Sequence, residues 1–139
     1  MALRLVREAS DTPNISNRDD ACMVRYAYGG YDGIVENFGQ QLSASIGSGR
    51  VAINSGRIVL QGWEVDVETE NISVPASTTG SVYEHLYLEL NLLLEEARLL
   101  TVRSTTQAFP INLGDDLTQN TSGTARLPLY RWSVSGSTI

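Results

Sequence analysis

The stretch IGSGRVAINSGRIVLQGW, Ile46 to Trp63, decides how this chain folds. It contains Gly47-Ser48-Gly49-Arg50-Val51-Ala52, which fits G-x-G-x-x-A, a variant of the dinucleotide-binding fingerprint. That fingerprint needs a strand before it and a helix opening at its end, because the helix N-terminus holds the pyrophosphate. After Gly49 the chain runs through Val51 and Ile53 in strict alternation and reaches Asn54-Ser55-Gly56. No amphipathic helix follows. Gly47 to Gly49 and Asn54 to Gly56 therefore read as two consecutive hairpin turns, since glycine and asparagine accept the positive φ such turns need.

Alternation continues on both sides of this stretch. Leu42, Ala44 and Ile46 share one side of QQLSASI. Ile58 and Leu60 share a face, as do Trp63, Val65 and Val67. The slip of one residue at Gln61-Gly62 predicts a bulge. NISVPAS is a short strand that Pro75 confines to an edge or an end. Leu86, Leu88, Leu90 and Leu92 then alternate with Tyr87, Glu89 and Asn91. A helix over Leu90 to Leu99 fits on propensity alone, but the two-residue period resumes at Leu100-Thr101-Val102. The pattern favours a hairpin turning near Glu95-Glu96-Ala97, with arms Val82–Leu92 and Arg98–Ser104. FPINLGDDLTQNTSGTARLP reads mostly as loop, and a last strand is expected over Leu129 to Val134.

The start of the chain has a different period. Ala2 to Val6 alternates weakly, as an opening strand would. Ser16 followed by Asp19 fits a capping box, with Ala21, Val24 and Tyr28 on one helical face and Gly29-Gly30 as the stop. The expected fold is mainly β: an antiparallel β-sandwich or small barrel with one short N-terminal helix, about Asn17 to Tyr28. One domain is expected over 1–139, with arm and helix over about 1–30 and the β domain over about 40–139.

The totals bound the function. The chain has 139 residues, the size of one domain, and its hydrophobic content of 42% is enough to drive folding. Net charge is −6, which argues against nucleic acid as a partner. All ten basic residues are arginine. The single cysteine, Cys22, excludes an internal disulfide and a multi-cysteine metal site. The opening residues carry charge too often for a signal peptide, and the longest apolar run is Leu92-Leu93-Leu94. A soluble protein made in a cytoplasm, with no membrane insertion, is the expectation.

Candidate sites are few. His85 is the only histidine. A Ser–His–Asp site would need it, but no G-x-S-x-G elbow is present, and a strand histidine is the plainer reading. Asp19-Asp20 and Asp115-Asp116 lack the ligand spacing of a calcium loop. No catalytic residue, cofactor or metal site is expected. Trp63, Tyr87 and Trp132 are interface candidates, because large aromatics carry much interface energy. Tyr26, Tyr28 and Tyr31, flanking Gly29-Gly30, are glycan-contact candidates.

NRDDACMVRYAYGGYDGIV followed by LSASIGSGRVAINSGRIVLQGWEVDV resembles the opening domain of tail-fibre and baseplate proteins of tailed bacteriophages. The likeness rests on Asp32-Gly33-Ile34, on Gly56, Gly62 and Trp63, on the aliphatic strand Leu86 to Leu92, and on Leu129 to Val134 with Gly136 and Ile139. It departs at Glu84-His85-Leu86, where the family often has Arg-Ile-Asp, and in keeping only Phe109-Pro110 of a proline-rich stretch. The resemblance implies a virion structural protein that oligomerises as a homotrimer, or a hexamer. It would connect or position receptor-binding parts through contacts with other phage tail or baseplate proteins. Fibre proteins of this kind often continue further, so either a free-standing baseplate component or a piece of a longer fibre is expected. The alternative function is a glycan-binding module that recognises the host cell surface through the three tyrosines and Trp63. A small hydrolase built on His85 is the third reading.

Overall fold

The structure, a computed structural model, describes residues 32–94, 96–115, 117 and 123–139. The strands found there are β1 (Gly33–Ile34), β2 (Ala44–Gly47), β3 (Arg50–Ile53), β4 (Gly56–Leu60), β5 (Trp63–Val67), β6 (Glu70–Ser73), β7 (Val82–Asn91), β8 (Glu96–Ser104) and β9 (Thr124–Val134). They form three antiparallel sheets: sheet A in the order β1-β4-β5, sheet B in the order β2-β3-β6 and sheet C in the order β8-β7-β9. The chain is mainly β, as expected, and no barrel closes among the described residues. The expected opening strand and the helix over about 17–28 lie outside the described residues.

The glycines of the opening stretch do three different jobs. Gly47 opposes Arg50, so Ser48-Gly49 is a two-residue hairpin turn, with Gly49 at φ 66°. No helix starts at Val51, which lies within β3. Asn54-Ser55 is not the second hairpin. It carries the chain from sheet B to sheet A, because β3 pairs with β2 and β6 while β4 pairs with β1 and β5. Gly56 sits there because a Cβ would run into the Leu42 side chain and lie 2.8 Å from the Leu42 nitrogen. Gln61-Gly62 is not a bulge. Leu60 opposes Trp63, and Gln61 and Gly62 have φ of 50° and 83°, the sign pattern of a type I′ turn. Gln61 tolerates positive φ because three hydrogen bonds hold it. Its N–H donates to Asp32 Oδ1 at 2.8 Å, its Nε2 to Asp115 O at 2.9 Å, and its Oε1 accepts from Leu117 N at 2.6 Å.

β7 is the central strand of sheet C and is buried on both faces over Glu84 to Leu90. One face, with Val82, Leu86, Leu88 and Leu90, joins a core that also takes Val51 and Ile53 from sheet B and Ile58 and Leu60 from sheet A. All three sheets thus share one apolar cluster, which is where burial stabilises the fold. Leu42, fully buried, belongs to the same cluster, and its carbonyl accepts from the Tyr130 hydroxyl at 2.9 Å.

β9 starts five residues before the expected Leu129. Its pairing with β7 slips between Leu86 and Tyr87: Leu86 opposes Tyr130, Tyr87 opposes Pro128, and Leu129 is left over. That is a β-bulge, and it changes which residues face the core. Ala125 and Leu127 oppose Leu90 and Leu88 before it; Tyr130 and Val134 oppose Leu86 and Val82 after it. Pro128 is tolerated because, among the described residues, the far side of β9 is bridged only at Ala125, by Gly114. The β7–β8 hairpin also differs. Asn91 opposes Glu96, so the turn begins at Leu92, before the expected place. Asn91 starts it by accepting the Leu94 N–H on Oδ1 at 3.1 Å.

Candidate functional site

The second face of β7 carries His85, Tyr87 and Glu89 and is where the polar chemistry gathers. His85 is fully buried, as is Tyr87. Phe109, from the segment after β8, lies edge-on to both rings, with centroids 5.0 Å from His85 and 5.4 Å from Tyr87. The Tyr87 hydroxyl accepts from Ile111 N at 3.0 Å. His85 Nε2 lies 3.1 Å from Ser104 Oγ and 3.1 Å from Thr106 O.

A serine and a histidine therefore do meet, Ser104 Oγ against His85 Nε2. A carbonyl only accepts, so the tautomer that bonds Thr106 O is the one with the ring proton on Nε2. In that tautomer Nε2 has no lone pair to take a proton from Ser104. The Ser104 hydroxyl is occupied too: it reaches Thr106 O at 3.0 Å and accepts from Thr106 N at 3.2 Å. Nδ1, which a triad would set against a carboxylate, is buried with no hydrogen-bond partner among the described residues. The arrangement fastens the segment after β8 onto sheet C.

Two buried carboxylates bracket this stretch in sequence, Glu89 on the same face and Glu84 on the face of Leu86. Glu84 accepts from Arg103 at 2.8 Å, and that guanidinium also reaches Pro75 O at 2.7 Å. Glu89 takes Arg98 Nε on one oxygen at 2.7 Å and Arg126 Nε on the other at 2.8 Å. Each arginine sits directly opposite its glutamate on a neighbouring strand. Burial pushes the Glu89 carboxyl up, but the two arginine hydrogen bonds outweigh it and hold it below the usual 4.5. The sign follows. A carboxyl with a lowered folded-state value contributes stability above 4.5, and that contribution is lost as pH falls through the folded value. Glu89→Gln should cost about 1 kcal/mol at pH 7. Urea midpoints of the two proteins should converge as pH drops below 4.5. A gap that stays constant with pH would show that the charge on Glu89 is not what holds the three strands.

On sheet A, Arg57 binds Asp66 through Nε at 2.6 Å and Nη2 at 3.1 Å, and Glu64 through Nη1 at 3.0 Å. Its guanidinium lies 4.2 Å from the Phe38 ring centre. The Arg57 hydrogen bond holds Asp66 below its ordinary value.

The structure disperses the aromatic interface candidates. Tyr87 is inside the core and Trp132 is buried at its edge, opposite Glu84. Trp63 is half-buried against the core. The indole N–H groups of Trp63 and Trp132 have no partner among the described residues. Tyr26, Tyr28 and Tyr31 lie outside the described residues, as do Asp19, Asp20, Cys22 and Asp116. The Asp115 carboxylate accepts the Thr124 N–H at 2.9 Å.

Sequence reading missed the exposed apolar side chains. Leu93 is 74% exposed, Leu94 61% and Leu113 59%. Topology brings them to one end of sheet C. Leu93 and Leu94 form the β7–β8 turn, and Leu92 N donates to Gly123 O at the start of β9. The Leu113 carbonyl accepts from Arg126 N on β9. The run Leu92-Leu93-Leu94 is the one signal that marked this end, and its alternation with the strand before it disguised the turn. No helix among the described residues is long and apolar enough to cross a membrane. Comparison with protein-family models, with curated proteins and with solved structures found no match for this chain.

Proposed function

We propose that the protein is a structural component of a bacteriophage tail tip, baseplate or tail fibre, a single β-sandwich domain that assembles with copies of itself and positions receptor-binding parts. The observation that carries the assembly is the exposed end of sheet C, where Leu93, Leu94 and Leu113 face solvent. Isolated exposed leucines are ordinary, but three at one end of one sheet form a surface that association would bury. The phage identity rests on the resemblance of the Asp32-Gly33-Ile34 step and the Gly56 to Trp63 hairpin to tail-fibre and baseplate domains. The polarity of the His85–Ser104 contact supports a scaffold rather than a hydrolase. Symmetric closure, most simply as a trimer, would bury the leucine end in every copy.

Sedimentation velocity of the full chain tests this. The wild type should sediment at three or six times the chain mass. Replacing Leu93, Leu94 and Leu113 together with serine should give monomers that keep the wild-type far-UV spectrum. A wild type that stays monomeric at high micromolar concentration overturns the proposal.

A further inference from the structure

A groove of about 340 Å³ lies between the β5–β6 connection and the β7–β8 hairpin. Its apolar lining includes Val65, Val67, Leu88 and Leu99, and its polar lining includes Glu68 and Glu70. Two observations set it apart from the rest of the surface. First, three sheet edges border it. β5 is an outer strand of sheet A, β6 of sheet B and β8 of sheet C. An outer strand presents a row of backbone N–H and C=O groups on which a further strand can form. β8 is the longest of the three, nine residues, and lends Ala97, Arg98 and Leu99 to the groove.

Second, the charge at the groove is unbalanced. Asp66 is bound by Arg57, and Arg98 by Glu89. Glu68 and Glu70 are exposed and, among the described residues, make no side-chain hydrogen bond or ion pair. Two uncompensated carboxylates beside an apolar floor suit a ligand whose side chains are apolar on one side and cationic on the other. A β-strand has that form when the two types alternate, since its side chains project to opposite faces with period two.

We propose that this groove docks an extended segment of a partner protein, with alternating apolar and basic side chains, added to sheet C along the free edge of β8. Main-chain hydrogen bonds to β8 supply affinity, the apolar floor takes every second side chain, and Glu68 and Glu70 select the basic ones. A second copy of this chain is a poor occupant. It carries a net charge of −6 and would bring like charge to the groove. The proposal does not depend on self-assembly through the leucine end.

The test uses the full chain and a fluorescein-labelled octapeptide of alternating valine and arginine, followed by anisotropy and by backbone amide shifts. Saturable binding is expected, with the largest shifts at Ala97 to Leu99 and Glu68 to Glu70. Affinity should fall about tenfold in Glu68→Gln/Glu70→Gln, since two exposed charge pairs are lost. The valine–glutamate counterpart should not bind. Equal affinity of wild type and double variant, or shifts centred elsewhere, would overturn the proposal. So would loss of self-association in the double variant, which would assign the groove to a second copy.

Discussion

Leu86→Ala should lower the unfolding free energy by about 2–5 kcal/mol. Leu86 is fully buried in the middle of β7, opposite Thr101 on β8 and Tyr130 on β9. Both flanking strands pin its backbone, so the space left by the lost methyl groups cannot collapse. Domains of this size are stable by roughly 5–15 kcal/mol, so the loss would be a large share of the total. Urea unfolding measures it as a lower midpoint at unchanged slope. A cost below about 1 kcal/mol would mean that the three sheets do not share a packed core at this position.

Gly114→Ala should cost about 2–4 kcal/mol, although the residue is exposed. Gly114 has φ of 84°, where an L side chain is strained. A Cβ would also collide with the Thr124 carbonyl oxygen and lie 3.0 Å from the Ala125 Cα, both backbone atoms of β9. Neither can turn aside as a side chain would. Relief requires residues 113–115 to leave β9, breaking the bonds from Asp115 N to Thr124 O and from Arg126 N to Leu113 O, both 2.8 Å. The variant should therefore show faster amide exchange at Asp115 and Arg126 as well as a lower urea midpoint. Gly49→Ala is the control: its added Cβ meets nothing within 4 Å, so only the positive φ counts there. Equal costs for the two would remove the steric part of the explanation.

What was legible in the sequence follows from what each residue reports locally. Period two is a property of the strand itself, so Trp63-Val65-Val67 and Leu86-Leu88-Leu90 could be placed without knowing their neighbours. Ser48-Gly49 could be placed because the turn residue carries its own conformational preference. The errors fall where a distant partner decides. Gln61 takes positive φ because Asp32, Asp115 and Leu117 hold it, and none of these is near it in sequence. Asn54-Ser55 has the composition of a hairpin turn, but β3 finds β6 and β4 finds β5, so the chain changes sheet there instead. β9 runs through Pro128, which breaks a strand pattern; only the topology shows that, among the described residues, its far side is bridged at Ala125 alone.

The candidate site was less legible than the fold. Size makes Tyr87 and Trp132 interface candidates, but size serves burial equally well, and both are buried within the chain. His85 was recognised as a strand histidine; its contact with Ser104 joins residues that sequence order keeps apart. Glu68 and Glu70 look like any acidic turn. What marks them is that Asp66 and Arg98 beside them have ion-pair partners, which a linear reading does not reveal.

The extra residue at Leu129 has a consequence for how this chain can vary. The two halves of β9 are written in different phases, joined by a one-letter offset that β7 reads correctly. Substituting Leu129 changes one side chain. Deleting it puts both halves in a single phase, with Ala125, Leu127, Tyr130, Trp132 and Val134 on one face and no offset left for β7 to read. In a family descended from this chain, the segment around Pro128 should tolerate loss of that one residue, whereas a single-residue insertion or loss elsewhere in β9 would turn part of the strand over.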